Sequence, residues 1–340
     1  MNASTTADGQ APCPLCASGT STHEVTGYDR TRPMPGSFDY RRCGGCGLLF
    51  QHPLPAPDEI AGLYPDDYSP HVGGRSGIKD KWINRVARRL YYDTDSPQRS
   101  AAGKAFMGLL FERVLGELRP PRGECRVLDV GCGSGDLLAR YAELGWSAHG
   151  IEVSPHGCEV ARAKGLEVHQ GDVFDAPFPT GRFDLIILSH VVEHVLDPVG
   201  FLARVREFLA PGGLLVVLTP NSRALGLQRY RSCWFPLEAP RHLMLFCPRT
   251  LTNTAREAGL RLVRNKPRTE AKRWTQSRHY VRTQGQELPE DMDERARVIA
   301  ASLEPSEREA GFERLVRPYL WLAAKFGRGE ILELEFASAR

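Results

Sequence analysis

The chain has no stretch approaching the roughly 18 consecutive apolar residues that would cross a bilayer. Its start, Met1-Asn2-Ala3-Ser4-Thr5-Thr6, lacks a basic segment followed by an apolar one. Neither a membrane span nor a secretory leader is expected, and the reading is cytoplasmic. Charge of one sign is also scarce: 44 Lys and Arg against 41 Asp and Glu leave a net +3. That excess is too small to argue for a nucleic-acid partner. Internal repeats and low-complexity tracts are missing. With 41% apolar and 25% charged residues over 340 positions, the chain can bury a sizeable core without covalent staples.

Nine cysteines are present, unevenly spread. Four form two pairs, Cys13-Pro14-Leu15-Cys16 and Cys43-Gly44-Gly45-Cys46, and the others stand singly. In a reducing compartment paired C-x-x-C knuckles point to a metal rather than to disulfides. Each knuckle presents two thiolates on one side of a tight turn, so the four suit a tetrahedral, structural Zn²⁺ site with no open position. A redox dithiol is the rival for either pair taken alone.

Residues 1–12 are small and polar and read as a disordered tail, 13–50 as the zinc ribbon, and 51–119 as a linker and helical lid. Within that lid Ile78, Trp82, Val86 and Leu90 recur at spacing four. The basic, amphipathic stretch 79–89 could contact a membrane surface or an anionic substrate; a lid helix with a solvated basic face is the plainer reading. From about residue 120 strands alternate with helices. Strands are expected over Arg126–Val130, Ala148–Val153, Glu167–Gln170, Phe183–Leu188 and Leu214–Thr219, the last after a Pro211-Gly212-Gly213 turn. Helices are expected over Asp136–Leu144, His156–Lys164 and Val199–Leu209. Such βα repetition implies a doubly wound α/β sheet. Beyond Pro220 comes a loop carrying Tyr230, Trp234 and Phe235, then a helix at Pro248–Ala258 and a strand at Arg261–Asn265. A helical insertion at about 275–328 and a last strand at Ile331–Phe336 follow.

The strand Val127-Leu128-Asp129-Val130 runs into Gly131-Cys132-Gly133-Ser134-Gly135. Glycines there let backbone approach a ligand, and the next helix offers unpaired N–H groups. The spacing is not the G-x-G-x-x-G of dinucleotide sites. VLDVGCGSG resembles motif I of class I S-adenosylmethionine (SAM)-dependent methyltransferases. The resemblance implies a seven-stranded Rossmann-like sheet closed by an antiparallel hairpin, with 120–340 as the methyltransferase domain. It also implies a cofactor site made by Asp129, Gly131, Gly133, Gly135, by Glu152 on the ribose, by Asp172 and Val173 near the adenine, and by Ser189. The ribbon ending in Cys43-Gly44-Gly45-Cys46-Gly47-Leu48 is similar to that of sugar C-methyltransferases and of the methyltransferase type 23 group. Unlike the sugar enzymes, this chain has too few residues after Pro267 for a further Rossmann-like domain. Zinc-containing ribosomal RNA methyltransferases share the Cys13-Pro14-Leu15-Cys16 element but usually differ in the second ligand pair.

Methyl transfer to oxygen or carbon needs a positioned base, and histidine is the natural one. Two segments compete. Ser189-His190-Val191-Val192-Glu193-His194 follows the fourth strand and resembles the E-H pair of ubiquinone O-methyltransferases, which sometimes carries metal. Pro240-Arg241-His242 resembles the P-x-H segment of the type 23 group and the Glu-His base of sugar C-methyltransferases, with Arg241 in place of Glu. His242 is the favoured base, ahead of His190, Glu193 and His194, with structural roles as the rival reading for each. Arg241 could meet an anionic acceptor or form a surface ion pair, and Tyr230, Trp234 and Phe235 could wall the acceptor or pack in the core. The expected activity is methylation of a small-molecule acceptor (a sugar, a lipid-linked glycan or a natural product). An RNA or protein methyltransferase that uses the ribbon for recognition, and a non-catalytic SAM- and zinc-binding scaffold, are the alternatives.

Overall fold

The computed structural model describes residues 12–64, 124–302 and 310–339. The expected tail, all but its last residue, and the lid beyond residue 64, including 79–89, lie outside the described residues. Two compact units make up the chain: one of residues 1–64, 190–203 and 216–340, the other of 65–189 and 204–215.

The second unit holds the expected βα repeat. Its strands are β4 (Arg126–Val130), β5 (Ser147–Glu152), β6 (Glu167–Gln170) and β7 (Phe183–Ser189). β4 pairs in parallel with both β5 and β7, and β5 with β6. Val127, Leu128, Ile186 and Leu188 are all but fully buried, which is why these strands read as unbroken apolar runs rather than alternating ones. Helix α1 (Asp136–Glu143) follows the glycine turn, and α2 (Pro155–Ala163) begins on Pro155 with the Ser154 hydroxyl capping Gly157 N–H at 3.2 Å. β8 (Leu209–Pro220) absorbs the expected turn: Pro211, Gly212 and Gly213 lie inside one strand. Gly212 has φ +80°, and a Cβ on Gly213 would meet the Phe183 and Ala210 carbonyls at 2.8 and 2.9 Å. Gly213 folds back onto Ala210, so the expected turn is present as a tight reversal within the β8 segment.

In the first unit β10 (Leu260–Arg268) and β11 (Ile331–Ser338) form the expected antiparallel hairpin. The sheet order is β10-β11-β8-β7-β4-β5-β6, the seven-stranded, Rossmann-like arrangement implied by the sequence. Between the hairpin strands lie α6 (Ala271–Thr283), α7 (Met292–Ala300) and α8 (Ala310–Lys325). The helical insertion therefore starts at 271. Its first helix buries Trp274 together with Thr275, Ser277 and His279, a mixed face with no apolar period to read. Glu330, fully buried before β11, accepts from the indoles of Trp234 (2.6 Å) and Trp274 (2.7 Å) and from Gly226 N–H (3.0 Å).

The expected loop after Pro220 is instead ordered around α4 (Leu225–Tyr230). Tyr230 and Trp234 sit in the core at 4% and 1% exposure, which settles them as packing residues. Phe235 is half-buried. The remaining helices are α3 (Pro198–Glu207) and α5 (Pro248–Glu257). The cysteine-rich segment forms β1 (Ser21–Gly27), β2 (Phe38–Cys43) and β3 (Leu49–His52), and its sheet gains a fourth strand from far along the chain, β9 (Met244–Leu245). Val25, Tyr40 and Leu49 of the ribbon share one apolar cluster with Trp234, Trp274 and Leu320.

Candidate functional site

The four paired cysteines converge. Cys13 and Cys46 sulfurs are 3.6 Å apart, Cys16 and Cys43 sulfurs 3.5 Å, and all four lie within 4.8 Å of one another. A tetrahedron of zinc–thiolate bonds about 2.3 Å long sets its sulfurs roughly 3.8 Å apart, so these residues fit Zn²⁺. Gly47 at φ +86° allows the second knuckle to turn back.

The glycine turn has two functions. Gly131 and Gly133 take φ of +72° and +53°, which carries β4 over into α1. Gly135 caps α1 at φ +74°, and a Cβ there would meet Leu166 Cδ1 at 2.5 Å and Ala161 Cβ at 2.9 Å. Its smallness therefore serves close packing of the turn on α2 and the β6 approach. Glu152 is buried, with Oε2 accepting from Gly133 N–H at 2.7 Å and Oε1 from Ser154 N–H at 2.8 Å. It braces the turn from the end of the neighbouring strand. Asp129 is buried too, and its Oδ1 has no hydrogen-bond partner. Burial, then the charge of Glu152, pushes its carboxyl up to about 7. An orphaned buried acceptor under a glycine turn fits a ligand that brings donors or positive charge, and the sulfonium and amine of SAM supply both. Asp172 is exposed, its Oδ1 accepting from Phe174 N–H at 2.6 Å, while Val173 is buried. Ser189 is half-buried at the end of β7. Two residues missed in the sequence stand beside the acids: Val153, 66% exposed, and Phe174, 61% exposed. Large apolar side chains left in water at adjoining strand ends suit the faces of an aromatic base.

The two histidine segments, 50 positions apart, form one cluster in the first unit. Glu193 is its centre and is fully buried. Its Oε1 lies 3.0 Å from His190 Nδ1 and 3.9 Å from His242 Nε2, and its Oε2 accepts from the Thr219 hydroxyl at 2.9 Å. Burial acts to raise this carboxyl, but the His190 hydrogen bond and the attraction of His190, His242 and His194 outweigh it and hold it at about 2. An ionised carboxylate only accepts, so His190 carries its proton on Nδ1 and leaves Nε2 as the basic atom. His190 sits one peptide bond past β7 at φ +58°, its N–H bonded to Leu218 O at 2.9 Å. That backbone region is unfavourable for a non-glycine residue and is met mostly where a side chain must be aimed. Its side chain keeps 29% exposure.

His242 has a different situation. It is 3% exposed, donates from Nδ1 to Pro236 O at 2.8 Å, and has Glu238 Oε2 3.5 Å from its Nε2. Glu238 supplies from position i−4 the carboxylate that Arg241 does not offer. Burial, only partly offset by Glu238, pushes His242 down to about 4. His194 Nδ1 lies 2.9 Å from Arg241 O and 2.7 Å from Tyr64 Oη. The carbonyl can only accept, so the proton sits on Nδ1. One ligand atom each from Glu193, His194 and His242 falls within 4.8 Å of the others. Two imidazoles whose other nitrogens are tied to carbonyls, plus a carboxylate, are a donor set able to hold a divalent transition metal.

Arg241 is sealed from solvent. Its guanidinium forks onto Asp29 at 2.8 and 3.1 Å, with both side chains at most 1% exposed, and bonds Thr31 Oγ1 at 3.0 Å. Asp29 is itself fixed by the N–H groups of Thr31 and Arg32. From the same ribbon the buried Tyr40 hydroxyl donates to His242 O at 2.8 Å, and Gln51 N–H to Leu243 O at 2.9 Å. The ribbon thus grips the His242 segment on three sides.

The family described as a methyltransferase domain matches residues 97–265. A ubiquinone biosynthesis O-methyltransferase of Chelativorans sp. is 32% identical over 197 residues, 54% of this chain and 78% of that one. A second, from Cereibacter sphaeroides, is 34% identical over 162 residues, 44% of this chain and 65% of that one, just under two thirds of its length. Among solved structures, a SAM-dependent methyltransferase from Mesorhizobium loti aligns at TM-score 0.43 and 18% identity, over 66% of this chain and 96% of that one. A geranyl diphosphate C-methyltransferase from Streptomyces coelicolor aligns at 0.45 and 14%, over 84% and 99%.

Proposed function

Because the chain belongs to the SAM-dependent methyltransferases, we propose that it methylates a hydroxyl of a small-molecule acceptor, with His190 as the base and Glu193 as its positioning partner. The observation that carries this reading is the 3.0 Å bond from His190 Nδ1 to a fully buried, ionised Glu193. SAM, when bound, supplies the methyl group as a sulfonium. The acceptor hydroxyl would give its proton to His190 Nε2, and the resulting imidazolium would be stabilised by the Glu193 carboxylate. His242, held at about 4 inside the cluster, is too weak a base for this step; its role is to pack against His194, ring centroids 4.7 Å apart, and keep Glu193 in position. The O-methyltransferase relatives of ubiquinone biosynthesis support an oxygen as the methylated atom. Asp129, Gly131, Gly133 and Glu152 hold the donor in this reading, with Val153 and Phe174 on the adenine. Zn²⁺ at Cys13, Cys16, Cys43 and Cys46 is structural. The ribbon's deepest polar groups are spent on Arg241 and His242, which favours a scaffold role for it over recognition of RNA or protein.

The test is incubation with methyl-labelled SAM and fractionated extract of the source cells, label in the small-molecule fraction being the expected result. His190→Ala should then lose transfer by roughly 10²–10⁴-fold while SAM affinity, titrated by calorimetry, is kept. Undiminished transfer in that variant would return the base to His242 or His194.

A further inference from the structure

Helix α8 is apolar on two faces, and among the described residues one of them packs inside the protein. Val316, Leu320, Ala323 and Ala324 are buried, at 9%, 2%, 7% and 4% exposure. Leu315, Tyr319, Leu322 and Phe326 follow one another at steps of four, three and four, which puts them on a single stripe of the helix and the residue after it. They are 77%, 54%, 51% and 76% exposed, and Trp321 is 58% exposed. A soluble helix ordinarily turns charge, not a continuous apolar stripe, toward water.

The flank of the stripe has one sign of charge. Arg314, Arg317 and Lys325 are exposed on it, against the single half-buried Glu313. Lys325 Nζ lies 5.3 Å from the centre of the Trp321 ring, so cation and indole form one amphipathic edge. An apolar stripe bordered by Trp, Tyr and a row of cations is the pattern of a helix lying in the headgroup layer of an anionic bilayer. A second copy of the helix would set cationic row against cationic row. Among the described residues no helix is long and apolar enough to cross a membrane, so the fit is to a surface and not to a span.

We propose that α8 docks the protein on an anionic phospholipid surface, with Leu315, Tyr319, Leu322 and Phe326 entering the acyl boundary and Arg314, Arg317 and Lys325 meeting phosphate headgroups. This surface is distinct from the SAM and histidine sites and does not depend on the nature of the acceptor. The experiment is co-sedimentation of the full chain with vesicles of phosphatidylcholine alone or mixed with phosphatidylglycerol. Binding should appear with the mixed vesicles and weaken as salt rises. Leu322→Ser and Phe326→Ser should each weaken it about tenfold, and Lys325→Gln about fivefold, with SAM affinity and melting temperature unchanged. Trp321 emission should shift to the blue on binding. Failure to bind mixed vesicles, or binding that survives Leu322→Ser with Phe326→Ser, overturns the proposal; the latter result would transfer the contact to another segment such as 79–89. A dimer in sedimentation equilibrium that Phe326→Ser dissolves, without vesicle binding, overturns it in favour of a second copy.

Discussion

Replacing Asp29 by Ala removes one half of a buried ion pair and leaves the Arg241 guanidinium, 1% exposed, without its carboxylate. Thr31 Oγ1 and the Glu238 carboxylate, 3.4 Å from Arg241 Nε, compensate only in part. Stranding a buried charge costs about 3–5 kcal/mol. Loss of the turn in which Asp29 Oδ1 accepts from Thr31 and Arg32 N–H adds about 1 kcal/mol. Against a total stability of about 5–15 kcal/mol, the variant should unfold at markedly lower urea concentration, measured with zinc held constant. The double variant Asp29→Ala, Arg241→Met removes both charges and should recover much of the loss, a coupling of about 2 kcal/mol or more. Because Arg241 precedes His242, whose ring packs on His194, the single variant should also lose methyl transfer beyond what its unfolded fraction explains. A loss under about 1 kcal/mol, the value of an exposed pair, would refute the reasoning, since it would mean that water reaches the guanidinium.

Cys16→Ser should release the metal, giving well under one equivalent of zinc in protein purified without chelator. It should also depress turnover, because β3 pairs with β9 and Tyr40 holds His242 O. Unchanged zinc content would sink the Cys₄ assignment. Asp129→Asn tests the donor site through pH. A carboxyl with an unfolded pKa near 4 and a folded value of about 7 destabilises the fold progressively as pH rises between those values and fully above them. The variant should therefore melt higher than the parent at pH 8, by at most about 4 kcal/mol, with a smaller gain at pH 5, and bind SAM more weakly; an equal gain at both pH values would contradict the raised pKa.

The βα repeat was legible because buried parallel strands and glycine turns are local. β4 and β6 match their expected bounds, and β5, α1 and α2 lie within about one residue of theirs. Where the reading failed, the deciding contact was distant. α6 buries Thr275, Ser277 and His279 because Ala271 O, Phe235 N–H and Ser302 O satisfy them in turn, so its sequence has no amphipathic period. Glycine composition alone also could not separate Gly131 and Gly133, which shape the turn, from Gly135, which lets it pack.

At the histidine site the sequence separated what the fold unites. Spacing i, i+3 makes the His190–Glu193 bond readable, but the approach of His242 to Glu193 spans 49 positions and the Asp29–Arg241 pair spans 212. The sequence reading weighed two histidine segments as rivals for one role. In the structure they meet at Glu193 with divided surroundings: one imidazole is partly exposed and paired to that buried anion, another is sealed in. That division depends on the ribbon. A Cys₄ knuckle is rigid without needing a large core of its own, and its sheet has an edge strand to spare. β9 takes that edge, and shortly before it come Arg241, whose side chain Asp29 fixes, and His242, whose carbonyl Tyr40 binds. The paired cysteines then explain why a segment so far along the chain can be held firmly enough to keep Glu193 dry and ionised, the condition on which the proposal of His190 as base rests.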